Sequence, residues 1–341
     1  MVTIPMPSHP PDRVLITGGR EIGGVRSFAD SLAEGFSALG IPSRIISPGR
    51  IISELSELRD PRVLKILSTG AVYAAPLARR AICIAHGVPG AAYNGWARMA
   101  LIIGSYKLAH ACSGTQLVAV SQYTASQLEV FFGSPVDEIV LNAVKSVYLD
   151  GSIDTLAERN YITYLGRLTT AKGIARLLPV IRDILDEQPG LRMCIVGEGP
   201  EKASMMASVS GDPRFEFAGN ISDEAARDQL RRTRLFISGH KAEGFGITYL
   251  EALSQGCAVA MPAGGGGVEI ALDRVGTQVH LFPLSFDRQQ TLAALRNAVR
   301  SDCTPLPMKG YSAQDVAQAY LNVDARFSQS GYIDRSPKAL K

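Results

Sequence analysis

Two glutamates eight residues apart frame the stretch Glu243-Gly244-Phe245-Gly246-Ile247-Thr248-Tyr249-Leu250-Glu251. It follows the apolar run LFISG and leads into an apolar helix pattern. Glycines at a strand-to-helix turn let the backbone approach a ligand closely. The N–H groups of that first turn lack intrahelical acceptors and carry partial positive charge, so they can hold phosphate or sugar oxygens. Glu243 falls in the turn, and Glu251 lies one to two turns into the helix at about 1.5 Å rise per residue. Two carboxylates at different depths can grip two hydroxyl-bearing parts of one ligand. The plain alternative is a solvated loop acid and a solvated helix acid.

Gly166-Arg167-Leu168-Thr169-Thr170-Ala171-Lys172-Gly173 is the second constellation. Arginine as a planar fork and lysine as a point charge can neutralise a diphosphate from such a turn; a solvated basic loop is the alternative. The third is Gly264-Gly265-Gly266-Gly267-Val268-Glu269, where four glycines expose backbone amides ahead of an acid. A surface loop would use the same residues. His86 ends the apolar run Ala81–Ala85 and precedes Gly87. That is where open α/β sheets bind ligands, although a lone histidine there also serves as a structural hydrogen-bonder. His240 lies three residues before Glu243 and is placed beside the site rather than in it; His9, His110 and His280 receive no role.

These residues need elements to position them. Arg13–Thr17, Ser43–Ser47, Ala81–Ala85 and Leu117–Val120 are short apolar runs that read as strands, with Ser27–Leu39 helical between the first two. The pattern restarts near residue 155. Strands are expected at Tyr161–Leu165, Leu191–Val196, Arg234–Ser238 and Ala258–Met261, with a helix at Arg176–Glu187. Such alternation implies α/β architecture with parallel sheets covered on both faces. Residues 1–154 form the expected first domain, completed by a C-terminal helix at 311–328. Residues 155–310 form the second, and 329–341 a polar tail. Ser121 reads as a helix cap and Asn142 as mainly structural.

Composition narrows the classes. The chain of 341 residues is 46% hydrophobic and 20% charged, which suits two globular domains and excludes disorder. No apolar run approaches the roughly 20 residues of a membrane span, and no secretory signal is read, so a cytoplasmic setting is expected. Five scattered cysteines without a CxxC pair suggest neither a disulfide framework nor a zinc site. No Asp-x-Asp metal motif occurs. The net charge of +3 carries no nucleic-acid signature. Residues 1–110 hold 12 basic against 7 acidic side chains, an excess that suits an anionic acceptor or the inner face of a membrane.

Taken in order, GRLTTAKG, IVGEGP, EGFGITYLEALSQGCAVA and GGGGVEI resemble the GT-B retaining glycosyltransferases of family 4. IGGV, AHG, VAVSQYT and LNAV extend the resemblance into the first half. It implies two Rossmann-like, doubly wound parallel-sheet domains facing across a cleft. It further implies retaining transfer of a sugar from a UDP- or GDP-sugar to an acceptor hydroxyl, in polysaccharide, glycolipid or glycoconjugate synthesis, with no cofactor or metal. Arg167 and Lys172 would stabilise the departing diphosphate. Glu243, with the backbone of Gly244, Phe245, Gly246 and Ile247, would hold the donor sugar and distal phosphate. Glu251 would take the ribose. Gly166, Gly265, Gly266 and Glu269 would line the same pocket, Gly23 and Gly24 would cover the phosphates, and His86 would sit near the anomeric carbon. A carbohydrate or lipid-linked acceptor, with peripheral membrane contact through the first domain, goes with this reading. A dinucleotide-dependent oxidoreductase, a non-catalytic sugar-nucleotide binder and a nucleotide-sugar epimerase of the same architecture are the rivals, the first disfavoured because Arg13–Thr17 leads into GGREIGG rather than G-x-G-x-x-G.

Overall fold

The computed structural model describes residues 10–18, 24–68, 70–87, 95–149, 158–301 and 304–329, with residues 271, 273 and 327–329 described by backbone alone. The chain divides into two compact units, one of residues up to Ala143 and from Gly310 onward, the other of Val144–Lys309.

The first unit runs β1 (Arg13–Thr17), α1 (Gly24–Ala38), β2 (Ser43–Ile46), a 3-10 turn into α2 (Leu55–Arg59), and β3 (Val63–Ser68). A further 3-10 turn, β4 (Ala81–Ala85), α3 (Trp96–Ala111), β5 (Thr115–Ala119), α4 (Gln122–Phe132) and β6 (Glu138–Ile139) follow. The sheet order is β2-β1-β3-β4-β5-β6, every pair parallel. The central β3, β4 and β5 are buried at every residue. That explains their unbroken apolar runs, because helices cover both faces of a parallel sheet. The edge strand β2 is only partly buried. The Ser121 side chain accepts from the Thr124 N–H at 3.1 Å and caps α4.

The second unit runs β7 (Tyr161–Leu165), two 3-10 turns, α5 (Leu178–Glu187), β8 (Arg192–Val196), α6 (Lys202–Ser208), β9 (Phe215–Gly219) and α7 (Asp223–Arg231). It continues through β10 (Thr233–Ile237), α8 (Ile247–Ser254), β11 (Ala258–Pro262), a 3-10 helix at Gly266–Arg274, β12 (Val279–Phe282) and α9 (Arg288–Arg300). The order is β12-β11-β10-β7-β8-β9, again all parallel. The chain therefore leaves β7 in one direction and returns beside it as β10. The strand order reverses between these two, and open α/β sheets bind ligands outside the carboxyl ends of such a pair.

The last helix, α10 (Ala313–Gln329), returns to the first unit. Ser312 caps it, its hydroxyl accepting from the Asp315 N–H at 3.1 Å. It crosses α1 at Gly35, where any Cβ would overlap the Ala313 carbonyl. Asp324, 2% exposed, then receives the Arg80 guanidinium at 2.6 Å from Nη2. Burying Phe28, Leu32 and Phe36 of α1 contributes about 1.5–3 kcal/mol each.

Several sequence expectations shift at their edges. α1 opens at Gly24 rather than Ser27. The helix expected from Arg176 begins as a 3-10 turn at Ile174–Leu177 and becomes α only at Leu178, ahead of Pro179 at its second position. The final helix starts at Ala313 because Ser312 caps it, and it runs to Gln329 rather than ending at 328. β3, β6, β9 and β12 were not among the expected strands. β9 is a half-exposed edge, and β3 carries Lys65 in its middle, a residue that breaks an apolar run. Lys65 is nonetheless fully buried, its ammonium donating to the Asp60 and Arg79 carbonyls.

Candidate active site

The second constellation and the double-glutamate stretch meet at the carboxyl ends of β7 and β10. Gly173 has φ +67°, a left-handed conformation that costs other residues. A Cβ there would lie 2.5 Å from the Gly239 carbonyl oxygen, and one on Gly239 would lie 2.6 Å from Gly173. Two facing glycines therefore let the loops touch backbone to backbone, and this close approach brings Lys172 to Glu243. The Lys172 ammonium donates to Glu243 Oε2 at 2.8 Å. His240 Nδ1 lies 2.8 Å from the same oxygen and 3.2 Å from the ammonium. Burial by itself would raise the Glu243 pKa. The Lys172 charge and the His240 hydrogen bond outweigh it and hold the carboxyl well below the usual range.

Each neighbouring loop braces this group. The Gly266 N–H donates to the Glu243 carbonyl at 2.7 Å. Gly265, φ +81°, has no room for a Cβ, which would lie 2.8 Å from the Glu243 backbone nitrogen. The glycine run thus packs on the Glu243 backbone. Gly246, φ +93°, caps α8 without a side-chain acceptor, so the first-turn N–H groups face outward from the helix start. The Tyr249 ring fills the space under Gly246 and Gly267, and its hydroxyl donates to Ser238 Oγ at 2.9 Å. Behind the basic turn, the Gly197–Gly199 loop packs on Gly166 and Leu168, leaving no space for a Cβ at either glycine. The Tyr164 hydroxyl donates to the Arg167 carbonyl at 2.8 Å. The Arg167 side chain itself is exposed.

Glu251 is 5% exposed, which removes the solvated-acid alternative. Burial pushes its pKa up to about 7, against the opposing charge of Lys145 and with a further push from Asp223. Lys145 is itself held by both Asp223 oxygens at 2.7 Å. Phe245 is 2% exposed, so only its backbone can serve a ligand. Gly244 is buried, Ile247 is the first residue of α8, and Glu269 lies half-buried in the first turn of the 3-10 helix after the glycine run.

Among the first unit's candidates, Gly24 opens α1, while Gly23 lies outside the described residues. His86 follows β4, with its ring 4.6 Å from Phe28, edge to face, and Nε2 at 3.4 Å from Ser68 Oγ. Burial pushes its pKa down to about 4, so the imidazole is neutral at pH 7. His280 pairs with Ser301 Oγ at 2.7 Å.

Sequence reasoning missed Gly239, Tyr249, Ser238 and Lys145, and set His240 beside the site rather than on the carboxylate. Gly239 stands four residues before the double-glutamate stretch, and its facing Gly173 was visible only as a loop boundary. Among the described residues no group of three or more His, Cys, Asp or Glu is placed to hold a metal ion. The cluster can offer an anionic ligand an ammonium, a guanidinium and a helix start, and offer hydroxyls a firmly ionised carboxylate.

Residues 152–301 match the family described as glycosyl transferases group 1. Over 126 residues the chain is 27% identical to sulfoquinovosyl transferase SQD2 of Arabidopsis thaliana, covering 37% of this chain and 24% of that protein. Over 143 residues it is 24% identical to 2-deoxystreptamine N-acetyl-D-glucosaminyltransferase of Niallia circulans, covering 38% of this chain and 37% of that protein. The aligned stretch thus spans only about a quarter to a third of these relatives. In fold, the chain is similar to HepE of Anabaena, solved with UDP and glucose, at TM-score 0.64 and 14% identity over 93% of this chain and 97% of that one.

Proposed function

We propose that this chain, which has the GT-B fold and carries a glycosyl transferases group 1 segment at residues 152–301, moves a sugar from a nucleotide diphosphate sugar to an acceptor hydroxyl. The observation that carries the reading is the Lys172–Glu243–His240 cluster at the start of α8, beside the β7–β10 reversal.

In the reaction, negative charge builds on the departing diphosphate as the anomeric carbon gains oxocarbenium character. Lys172, Arg167 and the first-turn N–H groups of α8 meet that charge, the kind of preorganised stabilisation that lowers such barriers most. This assigns the counter-charge to the chain's own groups rather than to a metal. Glu243 stays ionised and accepts hydrogen bonds from the sugar hydroxyls. Glu251, deeper along α8, binds the ribose hydroxyls. His86, neutral at pH 7, serves as a hydrogen-bonding group near the anomeric centre. Retention follows from attack on the face the diphosphate leaves, with no carboxylate assigned as a nucleophile. UDP- and GDP-sugars are the donors proposed.

A lipid-linked or polysaccharide acceptor fits the surface of α3. Trp96, Leu101 and Leu108 are 76%, 68% and 49% exposed there. Arg98 and Lys107 are the helix's Lys/Arg side chains, and it carries no acid. Leu101 and Leu108, seven residues apart, share one face flanked by Arg98 and Lys107, with Trp96 exposed at the helix start, which suits an anionic lipid surface. Among the described residues no helix is long and apolar enough to cross a membrane.

The testing experiment is a thermal-shift and turnover screen of UDP- and GDP-sugars on wild type, Lys172→Ala and Glu243→Ala. A ligand that binds only the native state raises its melting point. Stabilisation of wild type by one donor, with turnover lowered by orders of magnitude in both variants, is the expected result. Near wild-type turnover in both variants removes the site.

A further inference from the structure

We infer that His240 is a positioning residue: its Nδ1–H holds the Glu243 carboxylate, so that Lys172 can turn to an anionic ligand without leaving that carboxylate unpaired. The inference rests on the site reading given above.

The geometry assigns the proton. His240 Nδ1 lies 2.8 Å from Glu243 Oε2. A carboxylate oxygen offers only lone pairs, so a bare Nδ1 at that distance would set two lone pairs against each other. The hydrogen therefore sits on Nδ1, whose 2.8 Å contact with the carboxylate is shorter than its 3.2 Å contact with the Lys172 ammonium. Lys172 donates to the same Oε2 at 2.8 Å, so both donors converge on one oxygen. Among the described residues Glu243 Oε1 has no partner and remains an acceptor for a ligand hydroxyl.

The backbone that carries the imidazole is in turn tied down. The His240 backbone N–H donates to Ser238 Oγ at 3.3 Å, and that hydroxyl receives the Tyr249 O–H at 2.9 Å. Tyr249 belongs to α8, so the loop carrying His240 is tied to the helix whose start faces the ligand. A lysine that both pairs a carboxylate and receives a diphosphate must serve two anions. Removing one partner from a largely buried ion pair is strongly destabilising, because the charge left behind loses its compensation. With His240 in place, Glu243 keeps one charge-assisted bond when Lys172 turns away.

The test measures binding of free UDP, free GDP, UDP-glucose and GDP-mannose to wild type, His240→Ala, His240→Asn and Glu243→Gln. His240 acts through the group that reads the sugar. His240→Ala is therefore expected to weaken the better sugar nucleotide by roughly 10–100-fold, the worth of one charge-assisted hydrogen bond. Binding of the free nucleotides should weaken as well, because Lys172 then meets their phosphates only by leaving Glu243 unpaired. His240→Asn, whose amide N–H can take the place of Nδ1–H, is expected to recover most of the loss. Nitrogen-15 NMR of the ligand-free protein should show His240 protonated on Nδ1 at pH 8. Unchanged binding of the nucleotides and sugar nucleotides in His240→Ala, no recovery with Asn, or an Nε2–H tautomer each overturns the inference. Failure of the site reading looks different: Glu243→Gln would then bind the sugar nucleotide as wild type does. Wild type ignoring all four probes would sink both.

Discussion

Replacing Gly173 with alanine tests whether the touching loops assemble the site. The residue has φ +67°, and holding alanine there costs about 1 kcal/mol. The added methyl would sit 2.5 Å from the Gly239 carbonyl oxygen, where ordinary contact begins near 3.4 Å. The obstacle is backbone, so the loops must part by about 1 Å. Overpacking of that kind costs about 1–3 kcal/mol, giving about 2–4 kcal/mol in all. At about 2–4 °C per kcal/mol for a unit of this size, Tm should fall by roughly 4–16 °C. The same displacement carries Lys172 away from an oxygen it now reaches at 2.8 Å, so affinity for a nucleoside diphosphate should drop by about tenfold or more. Gly190→Ala is the control. Nothing lies within 4 Å of a Cβ there, and Tm should hold or rise slightly. Differential scanning fluorimetry and calorimetric titration with UDP and GDP read both effects. If Gly173→Ala matches Gly190→Ala in both, the loop contact does not build the site.

Glu251 has a folded-state pKa near 7, above its unfolded value, so its stability contribution is complete below about pH 4.5 and is lost as pH rises through 7. Glu251→Gln should therefore gain about 2.5 kcal/mol on wild type between pH 5 and pH 8, and parallel Tm curves over that range would refute the burial argument. Arg80→Ala leaves Asp324 buried without its guanidinium and should cost about 3–5 kcal/mol in urea unfolding, with earlier proteolytic release of α10. A loss below about 1 kcal/mol would place the pair among surface bridges. Wild type should co-sediment with anionic vesicles in a salt-sensitive way, and Trp96→Ser with Leu101→Ser should abolish this. Binding that survives the double substitution would move the contact off α3.

The regular part of the fold was legible because parallel strands buried on both faces leave unbroken apolar runs, as β1, β4, β7 and β11 do. β9 escaped because an edge strand need not be apolar on both faces, and β3 because Lys65 satisfies its ammonium on carbonyls that sequence cannot foresee. Helix starts moved wherever a cap or a 3-10 turn set the first residue, as at Ser312 and Ile174. The site divides in the same way. Glycine spacing exposed the loops after β7, β10 and β11, but gave no sign of which residue each glycine makes room for.

The sequence by itself determined the alternation of strands and helices, the three glycine-marked turns and the charged side chains they carry, because periodicity and backbone freedom act over a few residues. Only the tertiary structure decided that Gly173 faces Gly239, that His240 and Lys172 share one oxygen of Glu243, and that Glu251 is buried beside Lys145 rather than solvated. Those facts join residues up to about 106 positions apart. Distance, burial and protonation are set by which strands become neighbours in the sheet, and no local pattern records that choice.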